Sequence, residues 1–322
     1  MTLLKIWSWT LLILFLILAI PYTFRILELK TLTKSDIPEE GGWAPLSLGN
    51  IYYQSHSPYV DPNGQIVVLV HGFSSPSFVW NGMMEDLLKA GYKVVVFDHY
   101  GRGFSERPKA SYNKNLYVTE LKELLEHLGI KDPIHLVGYS MGGPIVGFFA
   151  DEHPQQVASL TLIAPAGFSE PSSIPSFSNI MFMPLIGDWF YNVFRGRFQE
   201  MMMPESESSE DTRSISQSDF KRLFSQQFKY KGLVEALLST LRNFDMFSVL
   251  DMYAGVGESN KPVLVIWGRL DGVVPHYQSD QLTEAIPQAE LVTIEEGTHD
   301  ITYRHPSQVG EAITSFLSNL NK

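Results

Sequence analysis

The sequence predicts an α/β fold: a mostly parallel sheet flanked by helices, with a helical insertion and an apolar N-terminal helix. Three observations carry this expectation. Short apolar runs alternate with helix-like stretches along most of the 322 residues. One run stops at Gly138-Tyr139-Ser140-Met141-Gly142, a tight strand-to-helix turn. Nineteen uncharged residues separate Lys5 from Arg25.

The runs come in order. Gln65-Ile66-Val67-Val68-Leu69-Val70 and Lys93-Val94-Val95-Val96-Phe97 read as strands buried on both faces, because neither alternates with polar residues. Residues 79–90 read as a helix ended by Gly91. Tyr117, Leu121, Leu124, Leu125 and Leu128 form one helical stripe. Pro133 to Val137 is the strand before Ser140, and Met141 to Ala150 the helix after it. Leu160 to Ala164, Val263 to Trp267 and Ala289 to Glu295 continue the series. Strand and helix at this cadence imply parallel strands covered on both sides. Between roughly Gly167 and Asn260 the alternation breaks. Pro171, Pro175, Pro184 and Pro204 punctuate helix-like pieces rich in Phe, Met, Trp and Leu, which reads as a cap over the strand ends. The expected division is a membrane anchor at 1–25, a stalk at 26–47, a core at 48–167 and 256–322, and the cap at 168–255.

As a helix, the uncharged N-terminal stretch spans about 28 Å, close to the hydrocarbon thickness of a bilayer. Trp7, Trp9 and Tyr22 lie near its ends, where interfacial aromatics are favoured. A cleaved signal would need a shorter apolar region and a small-x-small site, and only Ala19 is small near the end. A retained single anchor is the expectation, with a cleaved signal as the alternative. Lys5 against Arg25, Lys30 and Lys34 leaves the orientation open.

A hydrophobic content of 44% provides for a sizeable core, and a net charge of −11 excludes a basic nucleic-acid surface. The acidic run Glu205 to Asp211 reads as a solvated loop, not a metal site. Without cysteine there is no disulfide, thiolate nucleophile or cysteine metal site. Neither a metal nor an organic cofactor is implied.

A serine hydroxyl needs a base, and the base needs an acid to orient it. Both follow in the sequence. Asp271 comes after Trp267-Gly268-Arg269-Leu270, at the C-terminal end of a buried strand, where parallel sheets carry ligand-facing groups. His299 follows Glu296-Gly297-Thr298, just after the last strand; the adjacent Asp300 is expected to diverge. Two amides are positioned to stabilise an oxyanion: that of Met141 at a helix N-terminus, and that of Phe73 in His71-Gly72-Phe73-Ser74, with His71 bracing the loop. In Asp98-His99-Tyr100-Gly101-Arg102-Gly103-Phe104-Ser105 the glycines lack the rest of a phosphate-loop pattern, so Asp98 and Arg102 are expected to brace the sheet edge.

Together, His71-Gly72-Phe73, Asp98 to Ser105, Gly138 to Gly143, Trp267 to Asp271 and Gly297-Thr298-His299 resemble the α/β-hydrolase superfamily over residues 48–320. The Ser-Met-Gly-Gly turn and short cap resemble the branch with bacterial esterases and lipases, monoacylglycerol lipases, C–C bond hydrolases and perhydrolases. The resemblance implies Ser140 as nucleophile, His299 as general base, Asp271 as its orienter, and Phe73 and Met141 as oxyanion amides. It implies an ester hydrolase, with the anchor favouring lipid-derived esters. A C–C bond hydrolase of ring-cleavage products and a non-hydrolytic receptor on the same fold are the alternatives. Aspartate-dependent dehalogenases and epoxide hydrolases are disfavoured by serine at the turn. Tyr139, Met183, Phe190 and Met202 are the candidate substrate-binding residues, with Met181, Phe182, Trp189, Phe194, Met201 and Met203 as further cap residues available to an acyl pocket.

Overall fold

In a computed structural model of the chain, which describes residues 2–168, 176–203 and 209–320, the apolar runs form the interior of one eight-stranded sheet. The strands are β1 (Gly42–Leu46), β2 (Gly49–His56), β3 (Ile66–Val70), β4 (Lys93–Phe97), β5 (Ile134–Tyr139), β6 (Val157–Ile163), β7 (Val263–Gly268) and β8 (Ala289–Ile294). Their order is β1-β2-β4-β3-β5-β6-β7-β8, antiparallel as far as β4 and parallel from there to β8. Successive side chains of a strand face opposite sides. Val68, Val70, Val95, Phe97 and Leu136 therefore join one core, and Val67, Leu69, Val94, Val96 and Val137 the other.

The helices are α1 (Thr2–Leu27), α2 (Met84–Lys89), α3 (Lys114–His127), α4 (Gly142–Glu152), α5 (Ile186–Val193), α6 (Arg195–Met201), α7 (Gln217–Gln226), α8 (Leu233–Asn243), α9 (Leu250–Glu258), α10 (Gln278–Ala285), α11 (Ile301–Arg304) and α12 (Pro306–Leu320). The α3 stripe of Tyr117, Leu121, Leu124 and Leu125 is buried with Ile145 and Phe149 of α4 on one face. Leu87 and Leu88 of α2 and Val309, Ile313 and Phe316 of α12 cover the other. Asn113 caps α3 by accepting the Leu116 amide at 3.0 Å.

Four expectations change. The segment read as a stalk already contains β1, whose Ala44 is fully buried opposite Ile51. Pro45 and the half-exposed pattern disguised it; proline is tolerated there because β1 is an edge strand. The strand before Asp98 is not at the edge: β4 lies between β2 and β3. Residues 79–90 are a 3₁₀ turn (Ser77–Trp80) followed by α2. At the break, a Cβ on Gly82 would approach the Arg213 carbonyl to 2.7 Å. Lastly, α9 straddles the expected cap boundary at 255 yet packs on α4 and α10 of the core, because the apolar face of α4 needs a cover.

The cap between β6 and α9 holds α5 to α8; Pro171, Pro175, Pro204 and most of the acidic run lie outside the described residues. The N-terminal helix α1 is one continuous helix across Pro21, and its Trp7–Leu27 part, 21 residues of mean hydropathy 2.2, is long and apolar enough to cross a membrane. It packs against α5 of the cap, where the Trp189 indole donates to the Leu18 carbonyl at 2.7 Å.

Two outcomes follow. A chain beginning at residue 48 should be less stable to urea than one beginning at 41, by about 2 kcal/mol, because removing β1 re-exposes apolar side chains such as Ile51. His135 on β5 is held between Ser159 Oγ (2.8 Å) and Gln65 Oε1 (3.0 Å), and burial pushes its pKa down to about 4. Below about pH 6.5 the unfolded chain therefore takes a proton that the folded one refuses, and stability falls with pH. Relative to the parent, His135→Gln should gain about 1.4 kcal/mol per pH unit between 6.5 and 4, read from urea midpoints.

Candidate active site

The strand β5 ends in a turn that places Ser140 in the left-handed region, at φ 54°. A Cβ on Gly138 would strike the Gly142 carbonyl, and one on Gly142 would strike the Val70 carbonyl of β3. Only glycines let α4 start this close to the sheet. The turn is held from both sides: Ser140 N donates to Ile163 O (2.9 Å), and Ser140 O accepts from Ala166 N (3.1 Å) and Gly143 N (2.9 Å).

Loops from three other strands converge on that serine. Ser140 Oγ lies 3.0 Å from His299 Nε2, and His299 Nδ1 lies 2.8 Å from Asp271 Oδ2. A carboxylate only accepts, so Nδ1 carries the proton and Nε2 is free to accept from the serine hydroxyl. Asp271 is itself pinned, its Oδ1 accepting from Val273 N and Val274 N, both at 2.8 Å. The Tyr139 hydroxyl donates to His299 O at 3.0 Å, and its ring lies 5.3 Å from the imidazole. Asp300 diverges as expected, bonding to the Thr298 hydroxyl and to Arg304 Nε.

The Gly72-Phe73 loop follows β3 directly beside this group; a Cβ on Gly72 would lie 3.1 Å from Ser140 Cβ. Among the described residues, neither the Phe73 nor the Met141 amide has a protein acceptor. Three successive carbonyls of the loop are bonded instead. Gly72 O accepts from His71 Nδ1 (2.8 Å), Phe73 O from Arg102 Nε (2.9 Å) and Ser74 O from Gln227 Nε2 (2.8 Å). Because a peptide is planar, holding the Gly72 carbonyl also aims the Phe73 N–H. His71 in turn accepts the His99 amide at Nε2 (3.0 Å), which fixes its tautomer. Burial keeps His71 well below its usual pKa, drives His99 down to about 3, and raises Glu120. The pair is therefore neutral, with the Glu120 carboxyl donating to His99 Nδ1 at 2.6 Å while Glu120 also accepts the Tyr100 amide.

Sequence reasoning placed His71 on this loop but missed Glu120 and Gln227, which lie far away in the chain. The two residues expected to brace the sheet edge, Asp98 and Arg102, instead act at separate places. Asp98 binds Ser77 and the Phe104 amide, whereas Arg102 reaches Phe73 O and, at 2.8 Å, Thr240 Oγ1 of cap helix α8.

A cleft of about 550 Å³ opens at Ser140, lined by Phe73, Tyr139, His299, Leu270 and Val273 and by Met201, Met202 and Met203 of the cap. Tyr139 and Met202 are thus at the cleft as expected; Met183 and Phe190 are not. Phe190 packs on Tyr191 and Phe194 within the cap, and the exposed Met183 sits in the turn before α5, whose direction is set by packing against α1 and α8. Trp189 likewise turns to α1.

The sequence profile of the alpha/beta hydrolase fold family matches residues 65–306. This chain belongs to the α/β-hydrolase fold family. Among curated relatives, monoacylglycerol lipase abhd6-B of Xenopus laevis is 26% identical, covering 80% of this chain and 77% of that protein. A 2-hydroxy-6-oxononadienedioate/2-hydroxy-6-oxononatrienedioate hydrolase of Dechloromonas aromatica is 27% identical, over 84% and 93% respectively. Among solved structures, a bromoperoxidase from Bacillus anthracis superposes with a TM-score of 0.71 at 22% identity, covering 86% of this chain and 99% of that one. A membrane phospholipase A described as a bacterial virulence factor gives 0.67 at 19%, covering 100% and 98%. These superpositions carry the hydrolase fold.

Arg102→Lys keeps the charge but cannot reach Phe73 O and Thr240 together, so one buried acceptor is left unpaired. A stability loss of about 1–3 kcal/mol is expected in urea titrations.

Proposed function

We propose that this protein is a membrane-tethered serine hydrolase that cleaves carboxylic esters of lipid origin, such as monoacylglycerols or short-chain acyl esters, through an acyl-enzyme. The observation that carries the reading is the hydrogen-bonded line Ser140–His299–Asp271 at the floor of an apolar, methionine-lined cleft. In this reading Ser140 Oγ attacks the ester carbonyl while His299 Nε2 takes its proton, and Asp271 stabilises the resulting imidazolium. The oxyanion that forms faces the Phe73 and Met141 amides, and the α4 N-terminus adds positive potential. Collapse expels the alcohol, which leaves with the proton from His299. A water deprotonated by His299 then attacks the acyl group, releasing the acid and restoring Ser140. The α1 helix, inserted as a single anchor, keeps the cleft beside substrates dissolved in a bilayer.

A C–C bond hydrolase is the second reading, favoured by the Dechloromonas relative. The named substrate of that relative is a dicarboxylate, which a site would meet with cations. Among the described lining residues of the cleft there is no Lys or Arg, and Asp300 is present. Ester hydrolysis therefore fits the cleft better.

Labelling with a fluorophosphonate probe tests the nucleophile: the parent should label and Ser140→Ala should not. Asp271→Asn should fold normally and lose about 10⁴-fold in kcat on p-nitrophenyl esters, because the imidazole is left in the wrong tautomer. Full labelling of Ser140→Ala would remove Ser140 from its role; labelling without turnover of any p-nitrophenyl or monoacylglycerol ester would transfer the argument to the C–C or receptor reading.

A further inference from the structure

The contact between α1 and the cap reaches from the end of the apolar helix back to its middle. Trp189 donates to the carbonyl of Leu18, seven residues before Arg25, and Arg195, six residues after Trp189, donates to the carbonyl of Arg25 at 3.1 Å. The helix α5 therefore runs alongside α1 in the same direction. Along α1, Ala19, Pro21, Tyr22 and Ile26 are partly covered, three of them, Ala19, Tyr22 and Ile26, at the i, i+3, i+7 spacing of one face. At the far end, Arg25, Glu28 and Arg195 form a charged cluster, with Arg25 and Arg195 both reaching Glu28 (3.3 and 3.5 Å).

These registers constrain where a bilayer can lie. If hydrocarbon ended at Leu18, only Trp7 to Leu18 would be inside, about 18 Å of helix and too short to span. If it ends at the Arg25 cluster, the span is complete and Trp189 sits about 10 Å below that level, or about 8 Å with a 40° tilt. The surface of the cap at this depth is apolar: Met183, Leu185, Ile186 and Phe194 are exposed, Leu185 at 84%. Leu185 is held there at φ 66°, a conformation costly for a leucine. Of the charges nearby, Asp188 is paired with Arg242 at 2.9 Å, and Glu235 is turned inward, one oxygen accepting from Asn192 Nδ2 at 3.0 Å. Beyond the Arg25 cluster three lysines gather, with Asp36 facing Lys30 and Tyr230. Lys30, whose backbone bonds to Lys229 O and Lys231 N, lies beside those two lysines, and all three are exposed on a chain of net charge −11.

We propose that the α5 edge of the cap, from Met183 to Phe194, is embedded in one leaflet of the bilayer that α1 spans, with the Lys30, Lys229 and Lys231 group at the level of anionic headgroups. The partner is a lipid surface, entered by Trp189 to about 10 Å and by Leu185, one turn further along α1, to about 16 Å below the Arg25 level. The α6 helix then carries the chain from Arg195 at the membrane edge to Met201, Met202 and Met203 at the cleft, so the cleft opens next to the leaflet. The proposal rests on α1 as an anchor, not on the chemistry of Ser140.

The chain contains no cysteine, so single probes can be introduced cleanly. Full-length Leu185→Cys and Lys131→Cys, the latter on an exposed loop at the opposite ends of the parallel strands, are labelled with an environment-sensitive fluorophore and reconstituted in vesicles containing phosphatidylglycerol. The label at 185 should be quenched by doxyl lipids and lose iodide quenching, and the label at 131 should do the reverse. A Thr2→Cys variant, reacted with an impermeant maleimide on sealed, oriented membranes, should be protected where Lys131→Cys reacts. Equal iodide quenching at 185 and 131, or reaction of Thr2→Cys and Lys131→Cys from the same side, would overturn the proposal. Neither readout needs turnover, so its failure leaves the ester-hydrolase reading untouched, and loss of that reading leaves the depth measurement intact.

Discussion

The rest of this structure depends on how closely α4 can begin beside β3. Ser140 occupies a left-handed backbone conformation because the chain must leave β5 and enter α4 within two residues, with the Val70 carbonyl against one side of the turn. That constraint demands glycine at 138 and 142, and it lifts the Ser140 side chain clear of the sheet. It also leaves the Met141 amide outside the helical hydrogen-bond ladder. The strain is sustained because β5 is central, paired on both sides by parallel strands buried on both faces.

Around the turn, precision comes from pinning backbone groups rather than from many side chains touching Ser140. Asp271 is held by two amides, and the Phe73 loop by three of its own carbonyls. Two of those three links lead to the cap, through Gln227 and through Arg102 to Thr240. The loop proposed to stabilise the oxyanion is therefore attached to the same element that supplies the methionines of the cleft. A shift of the cap acts on both the room for an acyl chain and the direction of the Phe73 amide.

Much of this was legible in the sequence, for definite reasons. Strands buried on both faces must be largely apolar, so β3 to β7 stand out as runs, while β1 and β2, half-exposed at the antiparallel edge, do not. Ser140, Asp271 and His299 were readable because each follows a strand end in a characteristic order, and their side chains do come within hydrogen-bond distance. The cap was legible as an interruption only. Its helices are amphipathic in several directions, so Phe190, Met183 and Met202 look alike in sequence, and only Met202 faces the cleft.

The sequence by itself determined the layered fold, the turn at Ser140, the order of its partners and an N-terminal helix long enough to span a bilayer, because backbone sterics and burial leave local signatures at fixed spacing. The tertiary structure alone decided what those elements touch. Glu120 through His99 and His71, Arg102 through Thr240, and Trp189 against Leu18 join residues 20 to 171 positions apart. Such contacts depend on how helices of the cap are oriented against the core and against α1. That orientation is set by packing summed over whole faces, which no local pattern records.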